Sequence, residues 1–98
     1  MESAARHIVV VGGGIAGLAT AFRLSECAPQ LRITLLESQS RLGGVLSTVH
    51  EEGFEVEQSA DNFITTTPWA IDLCRRLGLG DQIVETNAAL RRTFVVRG

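Results

Sequence analysis

Gly12, Gly14 and Gly17 form a G-x-G-x-x-G pattern directly after the β-branched run Ile8-Val9-Val10-Val11. At this spacing the glycines let the backbone turn tightly, come close to a ligand, and bring a helix near a strand, in that order. A helix opening here points its first N–H groups and partial positive charge at the turn, making a diphosphate site that needs no basic side chain. Glu37 closes a second apolar run twenty residues after Gly17. A carboxylate at that point accepts hydrogen bonds from both hydroxyls of an adenosine ribose and repels a 2′-phosphate. The pair therefore reads as a dinucleotide site that disfavours NADP.

Arg41-Leu42-Gly43-Gly44 follows Glu37 after three residues. Paired glycines there permit a second close backbone approach to the same cofactor, whereas NAD-binding units usually run straight into another helix, so FAD is the expected dinucleotide. Arg41 has two readings, a partner of a cofactor phosphate or a partner of Glu37, with a structural role favoured. Other reactive side chains carry less. His7 and His50 have no partner at ligand or triad spacing, and Cys27 and Cys74 belong to no C-x-x-C or Cys/His pair. No catalytic residue and no metal site are expected. Glu51, Glu52, Glu55 and Glu57 read as the solvated face of a hairpin, and Trp69 as a packing anchor.

The elements that must hold these groups follow from periodicity. Ile8–Val11 and Ile33–Leu36 are short unbroken apolar runs, suited to strands buried on both faces of a parallel sheet. Between them Ile15, Leu18, Ala19 and Phe22 recur at helical spacing with Arg23 and Glu26 on the opposite side, and Pro29 ends the helix. A right-handed crossover then makes the two strands parallel. Val45–Val49 and Phe54–Glu57 predict a hairpin around Glu51-Glu52-Gly53, with Phe54 and Val56 turned inward. Thr67-Pro68 predicts an N-cap and a first helical residue for a helix along Ile71, Cys74 and Leu77 that stops at Gly78. Asp81 is expected to cap a short turn through Ile83 and Val84, and Thr93–Val96 to form a last strand.

The fold class is therefore α/β: a partial Rossmann-like unit of β-α-β with a glycine-rich turn, then a β-hairpin and short helices. Ninety-eight residues allow one domain at most. With 45% hydrophobic and 20% charged residues and a net charge of −2, the chain is neither a disordered tail nor a nucleic-acid arm. All nine basic residues are arginines scattered along the sequence, so no polybasic patch points to nucleic acid or an anionic membrane. No apolar stretch approaches about 18 residues and no signal peptide is evident, which sets a cytoplasmic location as the expectation. Both cysteines fall on predicted helices, where a reduced thiol packs as a small hydrophobe. A two-strand crossover plus a hairpin leaves sheet edges and apolar faces without partners, so the chain reads as a fragment with a tendency to self-associate.

The stretch VVVGGGIAGLATAFRL followed by ITLLESQSRLGG resembles the FAD-dependent amine oxidase, phytoene desaturase and protoporphyrinogen oxidase superfamily. Gly53-Phe54-Glu55-Val56-Glu57, Asp61-Asn62-Phe63 and the segment from Ala70 to Asp81 are most similar to the oxygen-dependent protoporphyrinogen oxidase branch. The resemblance implies that residues 1–98 are the N-terminal part of an FAD/NAD(P)-binding domain, with the substrate domain and a C-terminal sheet segment elsewhere. It implies that Gly12, Gly13, Gly14, Ile15, Ala16 and Gly17 hold the pyrophosphate. Glu37 and Ser38 would hold the ribose, with Arg41 near a phosphate, and Gly43, Gly44 and Val45 would pass along the cofactor. Ser59, Ala60, Asp61 and Asn62 would run beside the isoalloxazine, although the family usually has Gly-Pro where this chain has Ser59-Ala60. The implied parent reaction is haem-pathway oxidation of a porphyrinogen to a porphyrin with dioxygen as acceptor, the segment alone being inactive. Peripheral contact of the parent with a membrane is left open. The competing readings are the corresponding segment of another FAD-dependent amine oxidase or phytoene desaturase, and a non-catalytic nucleotide-binding module.

Overall fold

The computed structural model describes residues 6–98, which divide into two compact units, one running through Asn62 and the other from Phe63 to Gly98. In the first unit β1 (His7–Val11) and β2 (Arg32–Leu36) pair in parallel, with Ile8 opposite Ile33 and Val11 opposite Leu36. Helix α1 (Ile15–Cys27) makes the crossover and packs on both strands. Pro29 ends it as expected: the Ala28 amide makes the last helical bond, to the Leu24 carbonyl at 2.9 Å. Leu18, Ala19 and Phe22 are half-buried against the strands, while Ile15, read as part of the same face, is 62% exposed at the mouth of the glycine turn. His7 Nε2 and Thr34 Oγ1 meet across the strand pair at 2.9 Å.

The expected hairpin forms from β3 (Thr48–Glu51) and β4 (Phe54–Glu57), antiparallel, with Val49 opposite Val56. Val45–Ser47 stay outside the strand: Arg41 and the Gly43 carbonyl engage Leu46 locally, and the Ser47 carbonyl accepts from the Gln58 amide at 2.9 Å just beyond the ladder. The two-residue turn, Glu52 at φ 49° and Gly53 at φ 83°, has the left-handed torsions that match strand twist in a tight hairpin. Phe54 and Val56 do not face inward: they are 71% and 50% exposed, since β1, α1 and β2 do not pack against the hairpin. The four glutamates lie in solvent, and His50 Nδ1 stands 3.6 Å from Glu55 Oε1.

In the second unit α2 (Trp69–Arg76) begins one residue later than Thr67-Pro68 suggests, with Pro68 itself at the N-cap and no side chain capping the turn. Its end is a paired motif: the Leu79 amide donates to the Cys74 carbonyl at 2.8 Å and the Gly78 amide to Arg75 at 3.0 Å, with Gly78 at φ 75°. A 3₁₀ turn follows at Gly80–Gln82 with Leu79 rather than Asp81 at its N-cap position and no side chain capping it, and Ile83 is already extended. A second one, Ala88–Leu90, is capped by Asn87, whose side chain accepts from the Ala89 amide at 3.0 Å.

Thr93–Val96 is not a strand. The run supplies the right side chains but no neighbour to complete the backbone ladder, and Phe94, Val95 and Val96 are 85%, 77% and 95% exposed. Trp69, read as an anchor, is also exposed. Both cysteines are free thiols on helices, but Cys27 is exposed rather than packed. Among the described residues no helix is long and apolar enough to cross a membrane, and no group of side chains is arranged to hold a metal ion.

Candidate dinucleotide site

The chain leaves β1 by a turn that only glycine can make without strain. Gly12 has φ 102°, and its amide donates to the Leu36 carbonyl at 2.7 Å, tying the end of β1 to the end of β2. Gly17 serves close packing, as its place in the pattern implies. A Cβ on it would lie 1.8 Å from the Gly12 carbonyl oxygen, so the first turn of α1 rests directly on the backbone of the bend. The helix ladder starts with the Leu18 amide donating to the Gly14 carbonyl at 3.0 Å, so the amides of Ile15, Ala16 and Gly17 lie ahead of it at the helix mouth. Gly14 is the N-cap and has no side chain with which to cap them, and no acidic residue occupies that first turn.

Glu37, at the end of β2, reaches this bend. Its Oε2 accepts from the Gly13 amide at 2.7 Å, and its Oε1 accepts from the Gln39 amide at 2.9 Å and the Ser38 hydroxyl at 3.3 Å. Gly13 alone among the described residues is buried, and a side chain there would collide with Glu37 and Leu42. The Gln39 amide, and next the Gly13 amide, hold the Glu37 carboxyl below the ordinary carboxylate range. Desolvation opposes them, and the Ser38 hydroxyl and amide add to them. Glu37 is thus a carboxylate at neutral pH, able only to accept. Both of its oxygens already accept from protein donors, Oε2 from the Gly13 amide and Oε1 from the Gln39 amide and the Ser38 hydroxyl.

The second glycine loop closes on the first. The Gly43 amide donates to the Gly13 carbonyl at 2.8 Å, and Gly14 and Gly43 form an isolated parallel bridge. Gly44, at φ 60°, lies so near Gly14 that a Cβ on it would be 3.2 Å from the Gly14 Cα. The close approach permitted by Gly44 is thus to the backbone of the first turn. Arg41 does not pair with Glu37: its guanidinium donates to the carbonyls of Leu42, Gly44 and Leu46.

Gly12–Gly17, Glu37, Ser38, Arg41, Gly43 and Gly44 are therefore gathered at one end of the strand pair. Val45 follows them as an exposed side chain. Ser59–Asn62 lie after β4 in an exposed, irregular stretch whose side-chain hydrogen bond is from Asn62 Nδ2 to Asp61 Oδ1 at 3.0 Å. None of the described hydrogen bonds joins that stretch to the glycine loops, and Ser59 needs no positive φ, since Glu52 is the one non-glycine residue with it among those described. The G-x-G-x-x-G pattern implies no packing role for Gly13 or Leu42, although the signal is present in the unbroken Gly12-Gly13-Gly14 triplet: its middle position is the one that faces the neighbouring strand's carboxylate.

A parallel strand pair joined by a helix, with amides at the helix mouth and a charged carboxylate at the next strand end, defines a dinucleotide-binding βαβ unit. The chain belongs to the NAD(P)-binding Rossmann-like domain family, whose model matches residues 10–77. It is similar to the coproporphyrinogen III oxidase of Propionibacterium freudenreichii subsp. freudenreichii, at 40% identity over 92 residues that cover 94% of this chain and 17% of that protein. It is 35% identical to the Bacillus subtilis (strain 168) coproporphyrinogen III oxidase, over 98% of this chain and 21% of the relative. A crystal structure from Exiguobacterium sp. 255-15, provisionally named protoporphyrinogen oxidase, superposes with TM-score 0.72 at 43% identity, covering 81% of this chain and 17% of that one. The chain thus spans about a fifth of the length of the relatives it matches.

Proposed function

We propose that this chain is the FAD-binding N-terminal segment of a porphyrinogen oxidase that converts coproporphyrinogen or protoporphyrinogen to the porphyrin, with dioxygen as acceptor. The observation that supports a dinucleotide is the meeting of Glu37 and the Gly13 amide at 2.7 Å, a carboxylate beside the glycine turn, and the similarity to porphyrinogen oxidases favours FAD as that dinucleotide. The donor set fits the group. Amides of residues 15–17 suit the diphosphate, the Glu37 carboxylate, an acceptor only, suits a ribose hydroxyl, and its negative charge opposes the 2′-phosphate of NADP. Similarity along 94% of the chain to a protein named coproporphyrinogen III oxidase supports the substrate class.

In this reading FAD supplies the hydride-accepting chemistry, and the residues of this chain supply binding and orientation. Gly12–Gly17 hold the diphosphate, and Glu37 with Ser38 holds the ribose. Gly43, Gly44 and Val45 run along the cofactor, and Ser59, Ala60, Asp61 and Asn62 line its flavin end. No proton-transfer role falls to these residues.

The test is the whole natural protein, purified and examined for bound flavin by its visible spectrum, then given coproporphyrinogen III and protoporphyrinogen IX separately in air and under nitrogen. Flavin in the preparation and air-dependent formation of a fluorescent porphyrin are expected. A protein that takes up NADP in preference to FAD, or that holds flavin but oxidises an amine or a carotenoid and neither porphyrinogen, overturns the reading.

A further inference from the structure

Arg41 is the one charged side chain of the second glycine loop, and its charge is answered by main chain alone. Nη1 donates to the carbonyls of Leu42 and Leu46, each at 3.2 Å, and Nη2 to that of Gly44. It forms no ion pair among the described residues. Gly43 makes room for this arrangement: at φ 110°, a Cβ on it would stand 3.0 Å from the Leu46 carbonyl oxygen and 3.3 Å from Arg41 Nη1. The loop so tied is the one whose Gly43 amide bonds the Gly13 carbonyl and whose Gly44 lies against Gly14.

We propose that Arg41 is a positioning residue. Its planar fork gathers three carbonyls that would otherwise splay, holds residues 42–46 as a rigid loop, and so presses Gly43-Gly44 onto the glycine turn that sets the dinucleotide site. A lysine cannot take its place, because one ammonium lacks the fixed fork needed to reach two divergent sets of carbonyls. This rests on the reading of the turn as an FAD site, and it differs from a direct phosphate contact in what a lysine would do. A phosphate counter-charge survives Arg41→Lys in large part, whereas a fork does not.

The experiment compares Arg41→Lys and Arg41→Gln in the whole natural protein, with two readouts. In the flavin-free protein, amide hydrogen exchange at Gly43 and Leu46 is expected to speed up about tenfold or more in both variants, the effect of losing hydrogen bonds from a charged donor. The Ala28 amide, bonded to Leu24, serves as an unaffected reference. In FAD titrations both variants are expected to bind about tenfold more weakly, with a salt dependence equal to that of the wild type. Wild-type exchange at Gly43 and Leu46 in both variants overturns the proposal. So does an Arg41→Lys protein with full FAD affinity beside an Arg41→Gln protein with reduced affinity and a flatter salt dependence, which would make Arg41 a phosphate ligand. Failure of the wild type to bind FAD overturns the functional reading instead, and the exchange result still decides whether Arg41 holds the loop.

Discussion

The bend after β1 and the turn of the β3–β4 hairpin both depend on glycine at positive φ, Gly12 at 102° and Gly53 at 83°, yet they are held in different ways. Around the first bend, segments far apart in sequence press together, Gly13 against Glu37 and Leu42 and Gly14 against Gly44, and the helix itself closes in, Gly17 against the Gly12 carbonyl. Nothing lies within 4 Å of where a Cβ on Gly12 or on Gly53 would be, so the difference lies in the neighbours: no residue beside Gly53 is pressed in this way, and the hairpin's strands are exposed along their whole length. The hairpin is a local solution, set by two torsions and a four-pair ladder. The glycine bend is a junction, and its shape depends on every segment that meets there. Substitutions in the two regions should therefore fail for different reasons and by different amounts.

Gly17→Ala puts a carbon into backbone that cannot yield. It should cost about 3 kcal/mol or more, the upper range for forced overpacking, seen as a loss of urea resistance. A cost below that of Gly53→Ala would erase the contrast. Glu37→Gln keeps the shape but replaces a charged acceptor by a neutral amide, and dinucleotide affinity should fall about tenfold, read by titration. The same carboxylate sets a pH dependence. Its folded-state pKa is depressed, so the stabilisation it gives is complete above the ordinary carboxylate range and is lost as the pH falls through the lower folded value. The Gly13 amide should thus lose exchange protection on acidification, once intrinsic exchange rates are allowed for, and Glu37→Gln should abolish that dependence.

The hairpin should respond more weakly. Gly53→Ala places an ordinary residue in the left-handed region without any clash and should cost about 1 kcal/mol. Glu52→Asn, which suits φ 49° better than glutamate does, should gain about 0.5 kcal/mol, detected as a rise in hairpin population by NMR. An equal loss from Gly53→Ala and Gly17→Ala would mean that the hairpin is packed after all and that the comparison is wrong.

The same division explains which parts were legible in the sequence. β1, α1 and β2 announce themselves through apolar runs and a helical period, signals carried by neighbouring residues. The ends of α1 and α2 follow from Pro29 and Gly78, whose backbone restrictions act locally. Thr93–Val96 shows where this logic stops: a strand is a pairing, and composition cannot supply the partner. Thr67 looked like a cap from residue type alone, but capping requires a specific turn geometry, and the turn formed one residue on. Phe54, Val56 and Trp69 are residue types suited to packing, but packing demands an opposing surface, and all three side chains are exposed within their own units.

By itself the order of residues determined the crossover unit, the bend at Gly12, the need for glycine at position 17, and the arrival of a carboxylate at the end of the second strand, because chain geometry and a fixed helix pitch leave few alternatives over that distance. Tertiary structure alone decided that Glu37 binds the Gly13 amide, that Gly44 rests on Gly14, and that Arg41 turns to three carbonyls instead of to Glu37. The first two depend on which groups come within hydrogen-bond or van der Waals reach once distant segments meet, and the third on the folded path of residues 41–46, which brings three carbonyls to one guanidinium; a bond that needs a separation of about 3 Å cannot be read from a spacing along the chain.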